Sequence, residues 1–180
     1  MHILSQAFIQ KTLQRAIAVA ALAAVPAIPF TILTPKATAQ MSPARAHHIY
    51  DKNANARADI ATAIKRAKLE HKRVILDFGG DWCGDCQVLY IYLHQPQNQQ
   101  IVDKNFVIVS IDIGHEHDGP YRNVDIAKQY GIPLEKGTPA LAVLDSNGRL
   151  LYSQKNKEGE MLVRTDITSV TEFLNKWKRS

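Results

Sequence analysis

The chain has 180 residues, 46% of them hydrophobic and 22% charged, with two cysteines and a formal net charge of +5. That length suits one domain with a substantial core, and ordinary charge with so few cysteines excludes a disordered chain, a collagen-like repeat and a disulfide scaffold. Lys11, Arg15 and Lys36 face no acid in residues 1–39, so the +5 falls to +2 for the remainder, which is too small and too evenly spread to indicate a nucleic-acid partner.

The first 39 residues read as an export leader. Met1–Arg15 is polar and positive, Ala16–Leu33 is uncharged and apolar, and Ala37-Thr38-Ala39 places small residues where a signal peptidase reads them. Cleavage after Ala39 is the expectation. An uncleaved anchor is the rival, since the apolar stretch approaches the ~20 residues that span a bilayer, but Pro26 and Pro29 interrupt it. No twin-Arg pair and no cysteine accompanies the leader, so neither Tat export nor lipidation is indicated. On either reading the domain works outside the cytoplasm, periplasmic or secreted, where disulfides persist.

Residues 40–53 read as a tether, His47 and His48 included, and residues 54–180 as the folded domain. Ala54–Glu70 spaces Ile60, Ile64 and Ala67 as one helical face. Val74–Phe78 is a buried strand, Cys83–His94 a helix stopped by Pro96, and Asn98–Asp103 a further short helix. Phe106–Ile113 (FVIVSIDI) is the clearest strand, followed by a loop over Gly114–Pro120. Asn123 is placed to cap a helix running to Tyr130, with Gly131 at its left-handed end. Leu141–Leu144 and Leu150–Ser153 flank the turn Asp145–Gly148 as a hairpin. Val170, Phe173, Leu174 and Trp177 line a last helix, with Ser169 and Glu172 as a capping box. No internal repeat follows the leader. The first two strands, joined through a helix, should be parallel and the last two antiparallel, giving a small mixed sheet with helices on both faces.

Both cysteines lie in DFGGDWCGDC, Asp77 to Cys86. A strand ending at Phe78 and a helix beginning near Cys83 set that thiol at a helix N-terminus, where unpaired N–H groups and the macrodipole favour a thiolate. Cys86 follows one turn later on the same face and more deeply buried. These unequal positions make Cys83 the attacking sulfur and Cys86 the resolving one. A structural crosslink would close too short a loop to restrict the unfolded chain much. Metal binding needs more ligands than C-x-x-C supplies; His115 and His117 of HEH are the residues that would complete a zinc or copper(I) set, although solvated loop histidines are commoner. No metal and no bound cofactor is expected.

W-C-x-x-C after an apolar strand ending in Asp-Phe resembles the thioredoxin superfamily. The resemblance extends to Asp77, which stands where that family carries a buried acid, to Trp82 before the first cysteine, and to Gly137-Thr138-Pro139-Ala140, which is similar to the family's cis-proline loop, preceded by Tyr130-Gly131-Ile132. It covers roughly Ala54 to Lys178 and implies an α/β thioredoxin-like fold, with a central mixed sheet of about four to five strands. The antiparallel third strand independently brings Thr138-Pro139 beside Cys83. The resemblance implies a cis bond there, leaving the Thr138 backbone to pair with an extended substrate segment. Trp82, Gly84, Asp85, Thr138 and Pro139 are the expected substrate-facing residues. Asp77, in an apolar run, should hold a raised pKa and accept the Cys86 proton through a water.

Two departures stand out. Asp85 occupies the position before the second cysteine where cytosolic members carry proline; its charge opposes a Cys83 thiolate, so a reducing or intermediate potential is expected. The loop Ile132–Lys136 lengthens the approach to Thr138-Pro139, and the segment 114–123 is a second insertion. The functional expectation is disulfide reduction or exchange in exported proteins, with electrons from another dithiol protein such as a membrane reductase. A copper-binding assembly factor and a non-catalytic adaptor on the same scaffold are the alternatives. The only membrane contact expected is through the leader, if it is retained.

Overall fold

Seven residues, Arg73–Gly79 (RVILDFG), form β1, and from Val74 onward every one is buried. Side chains alternate along the strand, so Val74, Leu76 and Phe78 face one way and Ile75 and Asp77 the other. The two faces seed two cores. Val74, Leu76 and Phe78 pack with Ile60, Ala63 and Ala67 of α1 (Ala56–Leu69) and Ile126 of α4 (Val124–Gln129). Ile75 packs with Leu89 of α2 (Gly84–Leu93), Val163 of α5 (Glu158–Thr165), and Val170 and Leu174 of α6 (Ile167–Trp177). The computed structural model describes residues 47–114 and 119–179. The expected leader and the two histidines His115 and His117 lie outside those residues.

The sheet has four strands in the order β2-β1-β3-β4, with β2 at Phe106–Asp112, β3 at Ala140–Leu144 and β4 at Leu150–Ser153. β1 runs parallel to β2, Asp77 opposite Ser110, and antiparallel to β3, Phe78 opposite Ala140. The mixed sheet, its strand directions and the hairpin are as the sequence implies. The hairpin turn is set by Asp145, whose carboxylate accepts the N–H groups of Asn147 and Arg149, and by Gly148 at φ +82°. α3 (Pro96–Asn105) follows α2 directly and leads into β2. Among the described residues no helix is long and apolar enough to cross a membrane.

Three local expectations are corrected. Asn123 does not cap α4 with its side chain; it sits at φ +53° and its amide donates instead to the Asp112 carbonyl at 2.8 Å, tying the helix start to the end of β2. The last helix begins two residues before Ser169, at Ile167. Asp166 is its N-cap and accepts the Ser169 N–H at 3.1 Å, so Ser169 and Glu172 form no capping box. Between the hairpin and that helix stands α5, an amphipathic helix to which the sequence reading assigns no element.

Candidate active site

Cys83 is the N-cap of α2. Its backbone is extended, and its sulfur accepts the Cys86 N–H at 3.1 Å, the geometry in which a helix N-terminus holds negative charge on sulfur. Cys83 and Cys86 are joined as a disulfide with Cα atoms 5.2 Å apart. Cys83 is 6% exposed and Cys86 fully buried, so an incoming disulfide reaches the first sulfur and not the second.

The loop before β3 covers the pair. The Thr138–Pro139 bond is cis, as the resemblance implies. The Thr138 hydroxyl lies 3.4 Å from Cys83 Sγ and its carbonyl oxygen 3.6 Å. Behind this loop is Gln154, buried just past β4. Its amide donates to the carbonyls of Asn156 (2.9 Å) and Pro139 (3.4 Å), and its oxygen accepts the Leu141 N–H at 3.2 Å. Gly159 of α5 presses on the same loop: a Cβ there would lie 1.9 Å from the Pro139 oxygen.

A groove of about 560 Å³ opens over Cys83, with Trp82, Gly84, Asp85 and Thr138 on its walls. Trp82 is 44% exposed, and its indole N–H donates to the Gly114 carbonyl at 3.1 Å, which fixes the ring beside the sulfur. Gly80 permits that pose, since a Cβ there would meet the indole nitrogen at 2.3 Å. Tyr121, exposed across the groove, adds a second aromatic surface. Asp85 is gripped by Arg164 of α5, at 2.9 Å from Nε and 2.8 Å from a terminal nitrogen. The guanidinium therefore offsets the charge the sequence places beside Cys83, and the push on that thiol is weaker than Asp85 alone would exert.

Asp77 does not line the groove and is linked to the pair through Tyr50. Burial pushes its carboxyl up to about 7, against the lowering effect of a hydrogen bond from the Tyr50 hydroxyl at 2.7 Å. Its other oxygen, Oδ1, accepts no hydrogen bond among the described residues. Tyr50 packs on both cysteines. Its oxygen and Cys86 Sγ each lie 2.7 Å from the point where a side chain at Gly79 would begin, so the missing Cβ is what lets them approach.

The segment carrying Tyr50 is the stretch read from sequence as tether, and here it is pinned. Asp81 Oδ1 accepts the N–H groups of Ile49 (2.8 Å) and Tyr50 (3.1 Å), and Oδ2 meets His48 Nδ1 at 3.1 Å. The Gln87 side chain clamps His47 through its backbone N–H and carbonyl, at 2.8 and 2.9 Å. Sequence reasoning therefore missed Tyr50, Asp81, Gln87, Gln154 and Arg164. The bonds that tie Tyr50 to Asp81, Gln154 to the loop before β3 and Arg164 to Asp85 join residues distant in sequence. The one available signal was the aromatic-rich H-H-I-Y stretch before the first helix. Among the described residues no three His, Cys, Asp or Glu side chains gather as a metal site.

A helix-capped cysteine pair under a cis-proline loop, on a mixed sheet with helices on both faces, defines a thioredoxin-fold dithiol protein. The sequence profile of the thioredoxin-like family matches residues 55–146, and the chain belongs to that family. A disulphide isomerase from Xylella fastidiosa Temecula1 is 30% identical over 73% of this chain and 98% of its own, with a TM-score of 0.66. A thioredoxin from Thermus thermophilus (19% identity, 64% of this chain and 81% of that one, TM-score 0.47) and the oxidised C-terminal domain of DsbD from Neisseria meningitidis (26%, 66% and 98%, TM-score 0.38) are more distant. No curated protein matches the chain.

Proposed function

We propose that the chain is a thiol–disulfide oxidoreductase that reduces or exchanges disulfides in exported proteins outside the cytoplasm. The observation that carries this is the asymmetry of the pair: Cys83 at the groove and the tip of α2, Cys86 sealed behind it. The kinship with a protein described as a disulphide isomerase supports the same chemistry. The export-type leader supports the location.

In the reduced form, the Cys83 thiolate attacks one sulfur of a substrate disulfide; the S–S bond breaks and the other substrate sulfur leaves as thiolate. The Cys86 thiol gives its proton to Asp77 and attacks Cys83 Sγ. The mixed disulfide breaks, the second substrate sulfur is released, and the Cys83–Cys86 bond forms. Two electrons have passed to the substrate, and another dithiol protein restores the pair by the same exchange in reverse. Trp82 and Tyr121 offer flat surfaces to the substrate segment, and the Thr138 backbone offers an extended edge. No bound cofactor enters the scheme.

The test is capture. Cys86→Ala, expressed with its leader in an exporting cell, should retain exported proteins as mixed disulfides on Cys83, and Cys83→Ala should retain none. Absence of any disulfide-linked partner, with Cys83 unreactive to alkylation at neutral pH, rejects the proposal. Stoichiometric copper(I) retention that disappears when His115 and His117 are replaced would establish the assembly-factor reading instead.

A further inference from the structure

We propose that Tyr50 is a positioning residue for the resolving step: its hydroxyl, held between Asp77 and Cys86, aims the carboxylate and keeps it ready to accept the Cys86 proton. The inference rests on the oxidoreductase reading above and adds to it a segment that the family match, beginning at residue 55, leaves out.

Three observations converge. The Tyr50 hydroxyl donates to Asp77 Oδ2 at 2.7 Å, the one hydrogen bond this buried carboxyl receives among the described residues. The same oxygen and Cys86 Sγ flank the vacant side-chain position of Gly79, each 2.7 Å from it. The backbone that brings the ring there is fastened from both sides, by Asp81 in the loop before Cys83 and by Gln87 on α2. Tyr50 is 4% exposed, and burial first and Asp77 second raise its own phenol well above the usual range. It therefore stays protonated and donates whether Asp77 is neutral or charged.

The groups around Asp77 leave it few other influences. Ser110 of β2 and Leu141 of β3 pair beside it and are uncharged. The cavity that reaches it also meets Tyr90 and His94 of α2, Asp103 of α3, Arg66 of α1 and Lys72, but burial and the Tyr50 bond are what set its proton affinity. Asp81 acts on Tyr50. Removing the phenol hydroxyl strips the charged carboxylate of its donor and raises its proton affinity further. The sign follows: ionised Asp77 is the base, so the pH at which resolution becomes fast must rise.

The experiment uses the reduced full mature chain and glutathione disulfide. At low glutathione disulfide the second-order rate reports Cys83 attack. At saturation the rate reports Cys86 attack, which releases the second glutathione and closes the Cys83–Cys86 bond. In Tyr50→Phe the midpoint of the saturated-rate profile should move up by about one pH unit. The rate at pH 7 should fall roughly fivefold and the alkaline plateau stay within about twofold, since only the proton acceptor has changed. The carboxyl infrared band that Asp77→Asn removes should titrate at correspondingly higher pH in Tyr50→Phe. A purely structural role would lower stability and the plateau without moving either midpoint. A folded Tyr50→Phe protein with both midpoints unmoved, or an Asp77→Asn protein that keeps the acid limb, overturns the inference. Loss of the low-concentration reaction in the wild type would instead reject the oxidoreductase reading.

Discussion

Asp77 carries a cost that the rest of β1 does not. Its carboxyl titrates at about 7 in the fold against 3.8 for the free side chain, because burial penalises the charge more than the Tyr50 hydroxyl relieves it. The folded state thus holds a proton that the unfolded chain releases between those values. The group's contribution is most favourable below pH 4, declines as pH rises through 7, and is constant above that. A shift of that size corresponds to roughly 4 kcal/mol. Asp77→Asn keeps an acceptor for Tyr50 and loses the charge. Urea unfolding of the oxidised protein should therefore find the variant about 1–3 kcal/mol more stable than wild type at pH 8 and no more stable at pH 4. An equal difference at both values would refute burial of the charge as the cause. The acid was legible in the sequence because a charged residue inside V-I-L-D-F has little choice but burial. Tyr50 was not, because no periodicity marks its stretch and its partner lies 27 positions away.

The elements most visible in the sequence were those whose local chemistry agrees with their packing. FVIVSID is β-branched on both faces because β2 is buried on most of its length, and the DSNG turn states its own geometry. α5 was hidden for the opposite reason. It is eight residues long, starts after a lysine whose side chain makes no cap bond, and owes its place to contacts rather than propensity. Those contacts matter to the site: Arg164 holds Asp85, and Gly159 rests on Pro139. Gly159→Ala would put a methyl 1.9 Å from the Pro139 oxygen and 2.8 Å from Gln154 Oε1, so either α5 or the loop over Cys83 must shift. Denaturant titration should show a loss of about 1–3 kcal/mol. Gly84→Ala, in the first turn of α2, meets nothing within 4 Å and should be neutral or gain up to about 1 kcal/mol from helix propensity. Matching behaviour of the two alanines would show that α5 does not brace the loop.

At the scale of the molecule, the division between tether and domain sets how much chain the site requires. The sequence places the domain at residues 54–180, and helical periodicity does begin there, with Asn55 capping α1 through the Ala58 N–H. Yet the buried acid of β1 and the buried thiol of α2 meet the same residue of the segment before the domain, Tyr50, which hydrogen-bonds Asp77 and packs on Cys86. A chain starting at Ala54 should consequently uncover Cys86 and Asp77 while leaving both hydrophobic cores intact. Losing a buried aromatic costs about 3–5 kcal/mol. The shortened chain should therefore unfold at markedly lower urea than one starting at Gln40, and its Cys86 thiol, once reduced, should alkylate at a rate approaching that of Cys83. In the longer chain Cys86 should stay protected. If both chains unfold together and protect Cys86 equally, the segment is an attachment after all, and the site is complete without it.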